Sequence, residues 1–364
     1  MVEGKSKGKR RLDIECMRIL AAFFVIFNHT ETTGFFLFSY YDTHGIRYWL
    51  YLFISIFCKF SVPLFFMISG ALMLNRISEP LKQLWHHRIF HMCYILITWS
   101  FFYYLVLVYR GDEIFNIKHF LTRLYDNDWN FSYWYLYTYI TFLISLPLLQ
   151  KIAQNLSNKN YIYLFAVYAA YSMCLPSVQY LLWQGKHNLN ENFTLDWLSS
   201  YIFIFPLAGY FFEYRVKEFW NVKKIIILWG INIGTILFSC YLTYLKAQVT
   251  GVCDTTNSQT FHSTFVLVNC VAIFVTIQYI NNHTKLFLKL EKAICSIGEC
   301  TFGIYLIHVF IRYYLGLTEY MASTFQEKMP AMSYAFLYCG VIFICSYVVT
   351  AIIRKIPILK KIVS

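Results

Sequence analysis

The chain has 364 residues, of which 58% are hydrophobic, 21% are aromatic and only 14% are charged. A soluble domain is usually about one quarter charged, so this composition excludes an ordinary soluble enzyme and predicts an integral membrane protein. The formal net charge of +12 does not indicate nucleic-acid binding, because the basic residues lie mainly in the connections between apolar runs.

Ten apolar runs, each long enough to cross a bilayer, follow one another along the chain. An α-helix rises 1.5 Å per residue, so about 17 to 25 residues span a hydrocarbon core of about 30 Å. The runs are predicted to be helices, because backbone groups in lipid must be satisfied internally and the alternation of a membrane barrel is not visible. The predicted spans are Leu12–Phe38, Ile46–Leu74, Trp85–Tyr109, Tyr133–Leu149, Tyr161–Trp183, Trp197–Tyr214, Lys224–Leu245, Thr260–Ile280, Thr301–Leu317 and Ala331–Ile353.

The distribution of Lys and Arg between the connections predicts the orientation. With ten spans, one alternating set of connections and tails holds 21 of these residues and the other set holds 7. Basic connections remain in the cytoplasm, so both termini are predicted to be cytoplasmic. The first run lacks the small-residue cleavage pattern of a signal peptide and is predicted to be an uncleaved first helix. We therefore predict an all-α bundle of about ten transmembrane helices, multi-pass in the cell membrane, or in the cytoplasmic membrane of a bacterium.

The predicted domain organisation is simple, because no connection is long enough to hold a second globular domain. A basic cytoplasmic tail covers residues 1–11, the membrane domain covers residues 12–354, and a second basic tail covers residues 355–364. Of the eleven cysteines, only Cys253 falls in an outer connection, so a disulfide framework is not expected.

The first helix carries ionisable residues within an apolar run, RILAAFFVIFNHT, which extends from Arg18 to Thr30. Such groups cost roughly 2.5 to 3.5 kcal/mol each on insertion into lipid, so they are candidates for function. Eleven residues make about three helical turns, which puts Arg18 and His29 on one face about 16 Å apart, with Glu15 on the same face. An imidazole can take a proton from a hydroxyl. The alternative is a structural Glu15–Arg18 pair with His29 hydrogen-bonded between helices.

Two later stretches also raise functional alternatives. His86, His87 and His91 cluster at the start of the third span, but no carboxylate or cysteine stands at ligand spacing, so no metal site is predicted. The longest outer segment, residues 110–132, combines several acids with Tyr125 and Trp129. This segment could form a sugar-binding rim, or it could be an aromatic belt with solvated acids.

Four strings are specific in combination and follow one another in chain order: RILAAFFVIFNH in the first span, VPLFFMISG in the second, HHRIFHMCYILITWSFFYYL in the third and TFGIYLIHVFI in the ninth. Together they resemble the acyltransferase-3 family of integral membrane O-acyltransferases. SYWYLYTYITFLISLPLL and FIFPLAGYFF are weaker matches. The family implies transfer of an acyl group, usually acetyl, from cytoplasmic acyl-CoA to a hydroxyl of an extracytoplasmic or lipid-linked saccharide. The resemblance covers nearly the whole chain and includes no appended soluble domain.

The resemblance also implies roles for individual residues. His29 matches the essential first-helix histidine, which would act as general base on the acceptor hydroxyl or as a transient acyl carrier. Arg18 matches the paired basic residue that holds the donor, and Glu15, included with His29 in the expected catalytic set, matches the acid that orients Arg18. Arg88 matches the first basic residue of an Arg-x-x-Arg pattern associated with the donor, and His91 occupies the second position. A histidine is charged only below about its pKa, so His91 is expected to make a weaker phosphate contact.

Residues of the second, fourth and ninth spans complete the comparison with the family. Tyr305 and His308 match the ninth-span motif and are expected to position the acceptor or the donor. Many members carry a histidine in the fourth span, where this chain has Ser132 and Tyr133, so that role is not transferred. In the second span, Ser69 and Gly70 are expected to permit close helix packing, and Lys59 either serves the site or snorkels outward.

The expected partners are acyl-CoA, a glycan or lipid-linked saccharide, and the lipid bilayer, with no metal and no nucleic acid; homo-oligomerisation is left open. The alternative from another functional class is a transporter of a glycan or small molecule, because polar faces in a helix bundle also line pathways. The sequence has neither visible inverted repeats nor paired interrupted spans, which favours the enzyme.

Overall fold

The computed structural model describes residues 10–251 and 261–363, so most of the predicted N-terminal tail and Cys253 lie outside the described residues. Within these ranges the protein is 78% helical and has no strand, which confirms the predicted all-α class. Two π-helical turns, Trp85–Ile89 and Ala169–Cys174, interrupt the α-helices. The α-helices of eight or more residues are α1 (Leu12–Asn28), α2 (Ile46–Cys58), α3 (Ser61–Met73), α4 (Phe90–Arg110), α5 (Ile117–Tyr125), α6 (Trp134–Asn155), α7 (Asn158–Tyr168), α8 (Leu175–Trp183), α9 (Ile204–Tyr214), α10 (Val222–Thr250), α11 (Val266–His283), α12 (Glu291–Gly298), α13 (Thr301–Tyr314), α14 (Leu317–Phe325) and α15 (Ala331–Ile353).

The described residues include seven helical segments that are long and apolar enough to cross a membrane, and eight if α12 and α13, a pair bent by 61°, count as one span. Of the other predicted spans, α1 has 17 residues and α9 has 11, fewer than the about 20 that a crossing needs. The first span is shorter than predicted because its helix ends at Asn28, and the chain then forms 3-10 turns at Glu31–Thr33 and Leu37–Tyr40. The count of ten spans and the orientation of the termini therefore remain predictions.

Helix α1 lies at the centre of the bundle, where it contacts α2, α3, α11, α12, α13 and α15. Its first half packs Met17 and Ala21 into a hydrophobic cluster shared with α3, α6, α9 and α11. Its second half packs Ile26 and Phe27 into another cluster, shared with α2, α4, α13 and α15. This central position brings both ends of α1 next to residues that are distant in the sequence.

Helices α3 and α9 pack with their backbones almost in contact. A Cβ atom on Gly70 would lie 2.0 Å from the backbone oxygen of Pro206, and one on Gly209 would lie 1.8 Å from that of Met67. No side chain fits at either position, which confirms the prediction that Gly70 permits close helix packing. The contact holds α3 in an orientation that turns Ser69 toward a cavity beside α1.

The segment predicted as the C-terminal tail packs against the bundle as far as residue 363. Pro357–Lys360 forms a short helical turn, and Val363 is fully buried. The indole of Trp99 on α4 donates a hydrogen bond to the backbone oxygen of Ile362 at 2.7 Å. These contacts place the C-terminal segment at the wall of the same cavity, which Lys360 lines.

Candidate active site

Two histidines meet at the end of α1. His29 immediately follows α1 and is half-buried, whereas His308 on α13 is fully buried. Nδ1 of His29 lies 2.7 Å from Nε2 of His308, and the ring planes are nearly parallel, at 8°. The sequence indicated each residue separately, and the fold brings them together across 279 residues of chain.

The hydrogen bonds of this pair determine which ring nitrogens carry protons. Nδ1 of His308 lies 2.6 Å from the backbone oxygen of Tyr305. A carbonyl oxygen can only accept, so Nδ1 of His308 is the donor and Nε2 of the neutral ring is an acceptor. Nδ1 of His29 must then donate to His308, which leaves Nε2 of neutral His29 with an unprotonated lone pair. His29 is therefore in the tautomer required of a base that acts through Nε2.

An ion pair one turn further along α13 holds the segment that follows α1. Arg312 donates to Glu31 at 3.1 Å, and the hydroxyl of Tyr313 donates to the same carboxylate at 2.5 Å. Burial by itself raises the pKa of Glu31, but these two hydrogen bonds outweigh burial and leave the pKa below its usual value. Glu31 therefore stays ionised at neutral pH. The ion pair ties the end of α1 to α13 and keeps His29 against His308.

A cavity of about 490 Å³ opens beside His29, and we call it the histidine cavity. Glu31, Lys59 and Trp134 also line it. Lys59 lies at the break between α2 and α3, with its ammonium group 5.0 Å from the centre of the Phe35 ring. The position of Lys59 in the cavity wall favours a role in the site over outward snorkelling.

A second cavity, of about 550 Å³, lies at the opposite end of α1, and we call it the arginine cavity. Glu15 lies 3.3 Å from Arg18, so the predicted ion pair is present. Cations outnumber carboxylates in the wall, so the cavity favours anionic groups such as phosphates. Its charged side chains are Arg10, Arg18, Arg354, Lys360, Glu15 and Glu299.

Two tyrosines separate the cavities. Tyr135 on α6 and Tyr305 on α13 line both of them, and their rings meet edge to face with centroids 5.3 Å apart. The hydroxyl of Tyr305 donates to the backbone oxygen of Ser132 at 2.5 Å, which orients the Tyr305 ring. A ligand that reached from one cavity into the other would pass between these two rings.

The structure places the two expected catalytic residues in different cavities. Glu15 lies with Arg18 in the arginine cavity, whereas His29 lines the histidine cavity and contacts His308 behind it. The fourteen residues from Glu15 to His29 correspond to roughly 21 Å of helix. Glu15 and His29 therefore do not act on the same atom, and the immediate partner of Glu15 is Arg18.

Arg88 and His91 are not among the residues that line the arginine cavity. Arg88 forms an ion pair with Glu79, whereas Met92, the residue after His91, reaches the cavity. The expected contribution of Arg88 and His91 to donor binding remains a prediction. In the part of the chain that the structure describes, no group of three or more His, Cys, Asp or Glu side chains is arranged to hold a metal ion.

Three cations of the arginine cavity were not identified from the sequence: Arg10, Arg354 and Lys360. Positive charges at the ends of spans are ordinarily explained by membrane topology, so they do not stand out as ligand contacts. Only the packing of the C-terminal segment against α4 shows that Lys360 reaches the cavity.

The outer segment, residues 110–132, leaves Tyr125 exposed but ties two of its acids and Trp129 into contacts within the protein. Arg123 pairs with both Glu113 and Asp128, the latter at 2.8 Å. The Trp129 side chain is only 6% exposed, and its ring packs against Tyr104. Because Tyr125 is 88% exposed, the sugar-binding rim and the aromatic belt both remain predictions.

The chain matches one known protein family over almost its entire length. The sequence model of the acyltransferase-3 family, described as an acyltransferase domain, matches residues 11–351. The match includes both histidines, whereas Arg10, Arg354 and Lys360 lie outside it. No curated protein and no solved structure gives a significant match. The chain therefore belongs to the acyltransferase-3 family and is a multi-pass membrane acyltransferase.

Proposed function

We propose that the protein transfers an acetyl group from cytoplasmic acyl-CoA to a hydroxyl of an extracytoplasmic or lipid-linked saccharide. The observation that carries this proposal is the pair of dissimilar cavities that meet at Tyr135 and Tyr305. One cavity suits a polyanion, and the other contains a histidine in the tautomer of a base. In this proposal residues 12–354 form one membrane domain of ten spans in the cell membrane, and both termini are cytoplasmic.

The arginine cavity is the proposed donor site. Acyl-CoA carries phosphates, which bind guanidinium and ammonium groups through charge-assisted hydrogen bonds. Arg18 and Lys360 would bind these phosphates, and Glu15 would orient Arg18. The narrow pantetheine arm and its thioester would then extend between Tyr135 and Tyr305 toward His29. In this arrangement Tyr305 contacts the donor, as expected from the sequence.

The proposed reaction uses His29 as the general base. Nε2 of His29 takes the proton of the acceptor hydroxyl while the hydroxyl oxygen attacks the thioester carbonyl carbon. The tetrahedral intermediate collapses, the carbon–sulfur bond breaks with its electron pair on sulfur, and the imidazolium returns the proton to the thiolate. The products are an ester and the free CoA thiol. His308 accepts a hydrogen bond from Nδ1 of His29 throughout, so we assign it as a positioning residue rather than a substrate contact.

Radiolabelled acetyl-CoA provides the test of this function. Membranes that contain the protein and matched membranes without it receive the labelled donor, and the label in extracted glycan is measured. We expect glycan labelling that depends on the protein. The alternative is a transporter, a function with which the bent α12–α13 pair is also compatible. A transporter would move the glycan without modifying it, so the glycan would remain unlabelled. Glycan transport without any transfer of label would contradict the proposed function.

Arg18→Gln is expected to raise the KM for acyl-CoA about tenfold, because it removes a charge-assisted contact worth roughly 1.5 kcal/mol. The kcat should change little, since Arg18 lies about 16 Å along α1 from His29. Arg215→Gln is the matched control, because Arg215 is exposed and does not line the arginine cavity. It should change the KM by less than about threefold. An equal increase in KM in the two variants would contradict a specific role of Arg18 in donor binding.

A further inference from the structure

A third cavity adjoins the histidine cavity and takes no part in the reaction proposed above. Its volume is about 450 Å³. It shares Tyr201 and Ser263 with the histidine cavity, so the two spaces meet at these side chains. A ligand whose reacting end lies beside His29 can therefore extend into this third space.

The chemistry of this space, which we call the hydroxyl cavity, differs from that of the arginine cavity. Asp196 is the only charged side chain among the described residues that line it. A carboxylate accepts hydrogen bonds from hydroxyl groups and repels phosphates, so this wall suits a ligand rich in hydroxyls and does not suit a CoA moiety. Its other polar lining residues include Tyr168, Tyr171, Ser172, Gln179, Ser199 and Thr264.

Asp196 is held in place by two hydroxyl donors. The hydroxyl of Tyr171 donates to Oδ1 at 3.1 Å, and that of Thr194 donates to Oδ2 at 2.8 Å. Each carboxylate oxygen can accept a further hydrogen bond, and the Asp196 side chain is exposed to the cavity. The carboxylate is thus pre-oriented and still has accepting capacity for a ligand.

Ser172 supplies an independent indication of a ligand. Its hydroxyl is buried and makes no hydrogen bond to any of the described residues. A buried hydroxyl without a partner is costly, and a ligand hydroxyl in the cavity would satisfy it. Ser172 and Tyr171 belong to the π-helical turn Ala169–Cys174, a distortion of a kind that is frequent at functional sites.

We infer that the hydroxyl cavity binds the part of the acceptor saccharide that extends beyond the reacting sugar. Tyr201 lies where the two cavities meet, and its ring is stacked on Phe205 with centroids 5.6 Å apart. This fixed aromatic face would contact the sugar ring that passes between the cavities. The inference rests on the proposed function, because the reacting sugar must occupy the histidine cavity. It implies that an oligosaccharide binds more tightly than a single sugar.

A glycan array that carries neutral hexasaccharides and the corresponding single-sugar glycosides tests the inference. The array is probed with purified labelled protein in nanodiscs, and no acyl donor is added. The protein should bind at least one hexasaccharide with about tenfold higher affinity than the corresponding single sugar. Asp196→Ala should abolish this difference and leave single-sugar binding unchanged. Tyr171→Phe, which keeps the ring and removes one hydroxyl, should reduce the difference. Glu319→Ala is the matched control, because Glu319 is an exposed acid on α14 that lines none of the three cavities, and this variant should bind like the native protein.

The inference is overturned if the native protein binds no hexasaccharide more tightly than its single sugar. The inference is also overturned if Asp196→Ala and Tyr171→Phe both keep the native preference for the hexasaccharide over the single sugar. Their melting temperatures establish that both variants are folded. Because the array contains no acyl donor, its result is separate from that of the acyl-transfer assay. If the native protein transfers label to glycan but Asp196→Ala binds saccharides like the native protein, the proposed function is retained. The hydroxyl cavity would then have no part in acceptor binding.

Discussion

The variant His29→Asn is expected to lose acyl transfer, with a fall in kcat of about 10²- to 10⁴-fold. Asparagine has an amide N–H near the position from which Nδ1 of His29 donates to His308, so it can retain the contact that is 2.7 Å in the native protein. It has no counterpart of Nε2 and cannot take the proton of the acceptor hydroxyl. The measurement is the kcat for label transfer at saturating acyl-CoA and acceptor.

The affinity for acyl-CoA should be unchanged in His29→Asn, because His29 does not line the arginine cavity. His119→Asn is the matched control, since His119 lies on α5 beside Glu113 and lines neither the histidine cavity nor the arginine cavity. This control should transfer label at the native rate. A folded His29→Asn protein with a native kcat would remove His29 from the reaction.

Incubation with labelled acyl-CoA in the absence of acceptor distinguishes the two roles that the sequence left open for His29. A general base forms no covalent intermediate, so the protein should remain unlabelled. Label that stays on the native protein and is lost in His29→Asn would instead identify His29 as an acyl carrier.

Replacement of His308 by alanine is expected to lower kcat by about 10²-fold or more, with little change in the KM of either substrate. Nδ1 of His29 then loses its acceptor, and the ring is free to adopt the other tautomer. In that tautomer Nε2 carries the proton and cannot serve as the base. The separate measurement of kcat and KM distinguishes this positioning role from a direct contact with a substrate.

Partial recovery in His308→Gln would support the positioning role, because Oε1 of glutamine can accept a hydrogen bond near the position of Nε2. The double variant His29→Asn/His308→Ala should be no slower than His29→Asn alone, since both residues act on the same proton transfer. A higher KM for one substrate with a native kcat in His308→Ala would show that His308 contacts that substrate, as the sequence suggested.

The features that the sequence predicted well depend on residues close together in the chain. The lengths and composition of the apolar runs predicted a helical membrane protein, because lipid excludes unsatisfied backbone groups. The spacing of Glu15 and Arg18 predicted their ion pair, because residues three apart share a helix face. His29, Tyr305 and His308 were identified by their motifs, each within a single run.

The end of α1 was not predictable from hydropathy. The apolar run continues through Phe35 and Phe38, so its composition does not mark a boundary. The hydroxyl of Thr30 donates to the backbone oxygen of Phe27 at 2.6 Å and accepts from the backbone N–H of Phe35 at 3.0 Å. This local network closes a turn where the helix would otherwise continue, and it places His29 at the helix end.

By itself, the sequence determined that this is a helical membrane protein that resembles the acyltransferase-3 family and carries a histidine in its first apolar run. Only the tertiary structure decided that His29 meets His308 and thereby acquires the tautomer of a base. It also decided that Lys360 joins Arg18 in one cavity, and that Tyr135 and Tyr305 separate this cavity from the other. Composition, periodicity and motifs are properties of neighbouring residues. The contacts that assemble the site depend on how whole helices pack, which is set by many long-range interactions at once.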